Sequence, residues 1–168
     1  INPNKILSLI NEKTRLLILN NPHNPTGSFT EKTIIDELAT GLINFPHVTI
    51  LSDEIYDRLI FDKKKIATLF NYPDLYDRLI VLNGWSKTYA MTGWRLGWGV
   101  WPKNLIEHVF KFCVNNHSCV NTAAQYGAIA ALDGPEDHLI NMMKEFAIRR
   151  KLIVEGLRSL KGVECSLP

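Results

Sequence analysis

Arg15-Leu16-Leu17-Ile18-Leu19-Asn20 is a short, continuously apolar run ended by Asn21-Pro22-His23-Asn24-Pro25-Thr26-Gly27, which packs two prolines and a glycine into seven residues. A strand that is apolar at successive positions is covered on both faces, and such strands belong to parallel sheets. Val48 to Leu51 (VTIL) and Leu79 to Leu82 (LIVL) repeat the pattern, each with β-branched residues and each followed at once by polar ones. Between the first two strands, Ile34, Ile35, Leu38, Ala39 and Leu42 recur at helical spacing and predict a helix over about Thr30 to Ile43. Ser28 and Glu31 form a capping box for it, or Thr30 caps it directly. The order strand, helix, strand, connection, strand predicts an α/β fold, a mostly parallel sheet with helices on both faces.

Beyond these elements the chain stays regular. Asp57 to Phe61 and Ile66 to Phe70 flank Asp62-Lys63-Lys64-Lys65, which reads as a short hairpin or lobe on the sheet margin, the lysines being a solvated turn. Trp94 to Trp101 (WRLGWGVW) reads as extended, and Pro102 stops it before a helix carrying Leu105, Ile106, Val109, Phe110 and Cys113. A further helix is expected from about Thr122 to Leu132, closed by Asp133-Gly134-Pro135. From Glu136 to Leu160, Leu139, Met142, Met143, Phe146, Ile153 and Leu157 hold helical phase, with Gly162 as terminator. Arg149, Arg150 and Lys151 are expected on a solvated face of that helix. Trp85, Trp94, Trp98 and Trp101 read as packing residues.

Composition narrows the function. The 168 residues are 46% hydrophobic, enough for one well-buried core. With 19 Lys plus Arg against 17 Asp plus Glu, the net charge of +2 gives no reason to expect nucleic acid as a partner. Three cysteines, Cys113, Cys119 and Cys165, make neither a disulfide framework nor a zinc ribbon, and a reducing compartment fits best. His23, His47, His108, His117 and His138 lack metal-ligand spacing, and His23 reads as a turn residue near the site. No run approaches the length of a membrane span and no signal peptide opens the chain, so a cytoplasmic location is expected. The chain starts without Met and stops at Cys165-Ser166-Leu167-Pro168, and is expected to be part of something longer.

In open α/β sheets, ligands bind outside the carboxyl ends of the strands, where loops converge. The polar residues fall there. The first strand delivers Asn20 to Gly27, the second Ser52-Asp53-Glu54-Ile55-Tyr56, and the third Asn83-Gly84-Trp85-Ser86-Lys87, with Arg95 eight residues later. Singly, each is an ordinary turn, cap or solvated side chain. Together they meet the needs of pyridoxal phosphate chemistry: an amine for the aldehyde, a carboxylate for the pyridine nitrogen, hydrogen bonds to the ring oxygen, and a cation with a hydroxyl for the phosphate. Lys87, Asp53, Tyr56 with Asn24, and Arg95 with Ser86 supply these in turn.

The segments N-P-H-N-P-T-G (Asn21 to Gly27), S-D-E-I-Y (Ser52 to Tyr56) and S-K-T-Y-A-M-T-G-W-R-L-G-W (Ser86 to Trp98) closely resemble the class I/II aminotransferases of PLP fold type I, and within them the bacterial-type aspartate and aromatic enzymes. The resemblance runs along essentially the whole chain. It implies that Lys87 is the catalytic lysine that forms the Schiff base, with Asp53 at the ring nitrogen. Tyr56 and Asn24 would contact the ring oxygen, Asn24 also lying near the substrate carboxylate, and Arg95 and Ser86 would hold the phosphate. It implies a ping-pong transfer from an L-amino acid of aspartate or aromatic type to a 2-oxo acid, and a homodimer. Residues 1–135 would then be the second half of the large pyridoxal phosphate-binding domain. Residues 136–168 would be a connecting helix and the start of a small C-terminal domain. Many relatives carry a serine where this chain has Gly84, and the resemblance covers less than half of the usual length, without the preceding phosphate loop or the arginine that grips the α-carboxylate.

Two other readings use the same residues. A pyridoxal phosphate-dependent β-lyase or cyclopropane-forming synthase of this fold needs the same ring contacts. An aminotransferase-like effector domain of a transcription regulator would keep the cofactor and follow a DNA-binding module. A Ser86-Lys87 hydrolase pair is rejected because adjacent side chains diverge. GWRLGWG (Gly93 to Gly99) lacks the G-x-G-x-x-G of a nicotinamide site.

Overall fold

The structure, a computed structural model, describes residues 1–62 and 64–168. Lys63, one of the lysines of the expected turn, lies outside the described residues. Four strands form one sheet in the order β1 (Leu16–Asn20), β2 (Thr49–Asp53), β3 (Leu79–Gly84), β4 (Gly97–Val100). The first three are parallel, with Asn20 beside Asp53 and Asp53 beside Leu82. β4 returns antiparallel along β3, with Gly84 beside Gly97. The α/β, mostly parallel architecture expected from the three apolar runs is present.

The helices follow the sequence pattern with informative shifts. α1 (Pro3–Leu9) packs beside α2 (Lys32–Leu42). Ile35, Leu38, Ala39 and Leu42 of α2 form the apolar stripe and bury against Leu19, Ile50, Leu79 and Val81 of the sheet. Arg78 fastens this layer by donating to the carbonyls of Leu42 and Val48 at 2.7 and 2.8 Å. Neither expected cap closes the start of α2. Glu31 holds the cap position without a side-chain bond, the Thr30 amide donates to Asn21 Oδ1 at 3.0 Å, and the Ser28 hydroxyl accepts from Thr26. Asn21 ties the segment just before the helix to the turn after β1. The opposite face of β1 stands open, Ile18 being 64% exposed.

No hairpin flanks the lysine turn: residues 57–61 are turn and coil, and the later stretch runs into 3-10 turns at Leu69–Asn71 and Pro73–Arg78. Leu69 and Leu75 drop singly into the core under α2, which needs compact turns and leaves no alternating face for a strand pair. The extended segment is shorter than Trp94–Trp101 because Thr92–Trp94 is a 3-10 turn and Arg95 takes φ +57°. α3 (Ile106–His117) forms as expected, yet it buries no residue fully, and Ile106 and Phe110 of its apolar set are exposed. α4 (Thr122–Asp133) is capped by Asn121, whose Oδ1 accepts from the Ala124 amide at 3.0 Å. Its Ala124 and Ala128 close a second cluster with Met91 and Leu96. α5 (Asp137–Arg158) ends two residues before Leu160, and the chain turns at Gly162 with φ +81°.

Among the described residues no helix is long and apolar enough to cross a membrane. No group of three His, Cys, Asp or Glu there could hold a metal ion.

Candidate functional site

Parallel pairing brings the strand exits level, so the turns that leave β1, β2 and β3 lie along one edge of the sheet. Asn20 stitches the first two. Its Oδ1 accepts from the Asn24 amide at 2.8 Å and its Nδ2 donates to the Asp53 carbonyl at 3.2 Å. The Asn21 amide donates to the same carbonyl at 3.1 Å. Asn24 Nδ2 in turn donates to the Tyr56 hydroxyl at 3.0 Å. Beyond β2 the Asp53 carboxylate accepts from the Ile55 amide at 3.2 Å, a local bond that tightens the turn and aims it.

The third exit is a compact turn. The Trp85 carbonyl accepts from the amides of both Tyr89 and Met91, and the Trp85 indole donates to the Ala128 carbonyl at 3.2 Å, fixing the turn on α4. Thr88 is buried, and its hydroxyl donates to Asp57 at 3.4 Å. That contact clamps the turn holding Lys87 to the turn holding Tyr56. Lys87 Nζ accordingly lies 5.9 Å from the centre of the Tyr56 ring, at the outer limit of a cation–π contact.

Of the residues expected at the site, Asn24, Tyr56 and Lys87 are thus brought together by side-chain contacts, and Asp53 joins them through strand register. Ser86 is half-buried in the Lys87 turn. Arg95 is exposed and its Nη1 donates to the Thr92 carbonyl at 2.9 Å. The β3–β4 ladder ends at Gly84 and Gly97, and Ser86 and Arg95 lie in the turns just beyond its two strand ends. Arg95 lines a hollow with Trp94, Cys119 and Asn121, whereas Asn24 and Tyr56 line a cleft of about 700 Å³ with Phe29, Phe61 and Arg150. His23 borders that cleft as a turn residue, Nδ1 being 2.8 Å from the Thr26 hydroxyl.

Sequence reasoning passed over three contributors. Asn20 is the polar last residue of an apolar strand, a position that could have marked it. Glu54 is buried beneath the turn, where it accepts from the hydroxyls of Ser52 at 2.9 Å and Thr68 at 2.7 Å. Burial pushes its carboxyl above the ordinary glutamate range. Arg150, expected on a solvated face, is instead stacked on Phe61 with its guanidinium 4.0 Å from the ring centre. The tryptophans divide: Trp85 anchors the lysine turn, while Trp94 and Trp98 stand about half-exposed.

The chain matches the family model for aminotransferase class I and II over residues 1–168. It is 36% identical over 165 residues to the aspartate aminotransferase of Rhizobium meliloti, covering 98% of this chain and 40% of that protein. It is 40% identical over 162 residues to the probable aspartate aminotransferase of Methanocaldococcus jannaschii, covering 93% and 42%. The crystal structure of the Rhizobium meliloti aspartate aminotransferase superposes with a TM-score of 0.96 at 34% identity, over 100% of this chain and 42% of that one. An aromatic aminotransferase from Pyrococcus horikoshii superposes at 0.87 with 36% identity, over 94% and 43%. The chain therefore spans about two-fifths of the length of these relatives. From its first described strand to its last helix, it belongs to the class I and II aminotransferases.

Proposed function

We propose that the protein carrying this chain is a pyridoxal phosphate-dependent aminotransferase, moving an amino group from an L-amino acid of aspartate or aromatic type to a 2-oxo acid in two half-reactions. Members of the family use pyridoxal phosphate. The observation that carries the reading is the convergence of Asn24, Tyr56 and Lys87 beside Asp53 at the carboxyl edge of the parallel strands.

The donor set fits the cofactor. It offers one primary amine, one carboxylate, an amide already paired with a phenol, and a guanidinium and a hydroxyl on the turns beyond the β3 and β4 ends. Lys87 Nζ would hold the aldehyde end, and the Asp53 carboxylate would keep the ring nitrogen protonated. The Tyr56 hydroxyl and Asn24 amide would hydrogen-bond the ring oxygen, and Asn24 would reach the substrate carboxylate. Arg95 and Ser86 would hold the phosphate, with Gly84 giving no hydroxyl there. When bound, the protonated ring supplies a sink for the electron pair released at the substrate α-carbon. Lys87 Nζ, freed by the incoming amino group, would take the α-proton as general base and later give one back as acid. Asn20 and Glu54 keep the turns in place while it does so.

Residues 1–135 would belong to the large domain and residues 136–168 would lead through α5 into the small one. A homodimer in the cytoplasm is the expected assembly. The test is a screen of amino donors against 2-oxoglutarate with the intact protein. Glutamate formation with parallel initial-rate lines supports the reading, while pyruvate with ammonia in place of glutamate would assign a lyase and overturn it.

A further inference from the structure

α5 is 22 residues long yet buries only Leu139 and Val154 completely, so its position depends on few contacts. Its inward side runs Leu139, Met142, Phe146, Arg150, Val154, Leu157, in steps of three or four. Arg150 therefore occupies a place that helical phase gives to an apolar side chain. Only 14% of its side chain is exposed. Its guanidinium lies 4.0 Å from the centre of the Phe61 ring. Nη1 and Nη2 donate to the two carboxylate oxygens of Asp62 at 3.2 and 3.0 Å, and Nη1 donates to the Pro168 carbonyl at 3.0 Å.

The partners belong to two different walls. Phe61 and Asp62 lie on the loop that leaves Tyr56, and Asp62 is held at φ +61°, a left-handed conformation that L side chains disfavour. The guanidinium holds the Asp62 carboxyl below the usual carboxylate range. The segment at Pro168 rests on the turn of Asn24: a Cβ added at Gly27 would stand 2.5 Å from Pro168 Cβ. One planar cation thus ties the Tyr56 loop, α5 and the segment at Pro168 together along the cleft of about 700 Å³. A lysine could not reproduce this, because stacking and a two-point grip on a carboxylate both require the planar fork.

Resting on the aminotransfer reading for the ligand, we propose that Arg150 is a positioning residue for the amino-acid substrate. By stacking on Phe61 and gripping Asp62, it fixes the width of the cleft beside Asn24 and Tyr56 and so sets substrate affinity without touching the reacting atoms.

The test compares Arg150→Ala, Arg150→Lys and Phe61→Leu with the wild type, using the intact protein loaded with pyridoxal phosphate. In Arg150→Ala, KM for the amino donor rises about tenfold while kcat stays within about threefold, the signature of lost ground-state binding. Borohydride-trapped cofactor stays at the wild-type fraction. Amide hydrogen exchange over residues 57–62 speeds up without substrate, and the amides of β1, β2 and β3 keep their rates. Arg150→Lys and Phe61→Leu fall between the two, and stand in for Arg150→Ala should it not fold. An unchanged KM in all three variants overturns the inference. So does faster exchange across the whole sheet, which would make Arg150 a general stabiliser. Failure to trap cofactor in the wild type overturns the underlying reading and is recognisable as such before any variant is measured.

Discussion

The Asn24 amide donates to the Tyr56 hydroxyl at 3.0 Å, joining the turn after β1 to the turn after β2 across 32 residues of sequence. The bond exists because Asn20 has already fastened both turns, holding the Asn24 backbone with one end of its amide and the Asp53 carbonyl with the other. A phenol oxygen held in this way has its orientation set before any ligand arrives, which reduces the ordering cost of binding.

Tyr56→Phe keeps the ring beside Lys87 and removes the hydroxyl. One lost hydrogen bond, roughly 1–1.5 kcal/mol, should weaken pyridoxal phosphate binding about tenfold. Equilibrium titration of the apoprotein checks this. Unchanged affinity would mean that the phenol faces no part of the cofactor.

Asp53→Asn is nearly isosteric and keeps an oxygen to accept from the Ile55 amide. Fold and cofactor docking should survive. Turnover should drop by about a hundredfold or more, the usual scale for removing a fixed charge aimed at the reacting system. Single-turnover rates with an amino donor read the loss directly, and wild-type rates would remove Asp53 from its assigned place.

Glu54 predicts a pH dependence of stability. Burial raises its carboxyl above the ordinary glutamate value of 4.5 in the folded state. The native state then holds a proton that the unfolded state has released, so the Glu54 contribution to stability falls as pH rises from about that value through the folded pKa. The difference in unfolding free energy between wild type and Glu54→Gln should shift against the wild type over that window. A difference that is flat with pH, measured by urea unfolding, contradicts the burial argument.

The architecture was legible because its determinants are local. Leu16–Asn20, Thr49–Asp53 and Leu79–Gly84 are apolar runs with polar exits, and Ile35, Leu38, Ala39 and Leu42 keep strict helical phase. The convergence of Asn24, Tyr56 and Lys87 beside Asp53 was legible because their motifs sit at those exits. What escaped the reading depends on distant partners. Asn21 accepts from the Thr30 amide nine residues away, and the helix begins after Glu31, past both expected caps. Arg150 meets Asp62 across 88 residues, whereas Arg149 beside it pairs with Glu145 one helical turn back. Phase was the one local clue, since Arg150 follows Phe146 and precedes Val154 by four each, whereas Ile153, read as holding helical phase, is exposed.

Leu38 is fully buried between α2 and the sheet. Leu38→Ala should cost about 2–5 kcal/mol, transfer plus cavity, in chemical unfolding. A cost below about 1 kcal/mol would mean that α2 does not pack on β1, β2 and β3 in this register.

On the proposed reading, Lys87 Nζ joins the cofactor beside Asp53 and Tyr56. The decisive measurement is borohydride reduction of the intact protein loaded with pyridoxal phosphate, followed by peptide mass mapping. A stable pyridoxyl adduct is expected on the peptide containing Lys87 and is expected to be absent from Lys87→Ala; an adduct confined to another lysine, or one that persists in Lys87→Ala, rules Lys87 out as the Schiff-base residue.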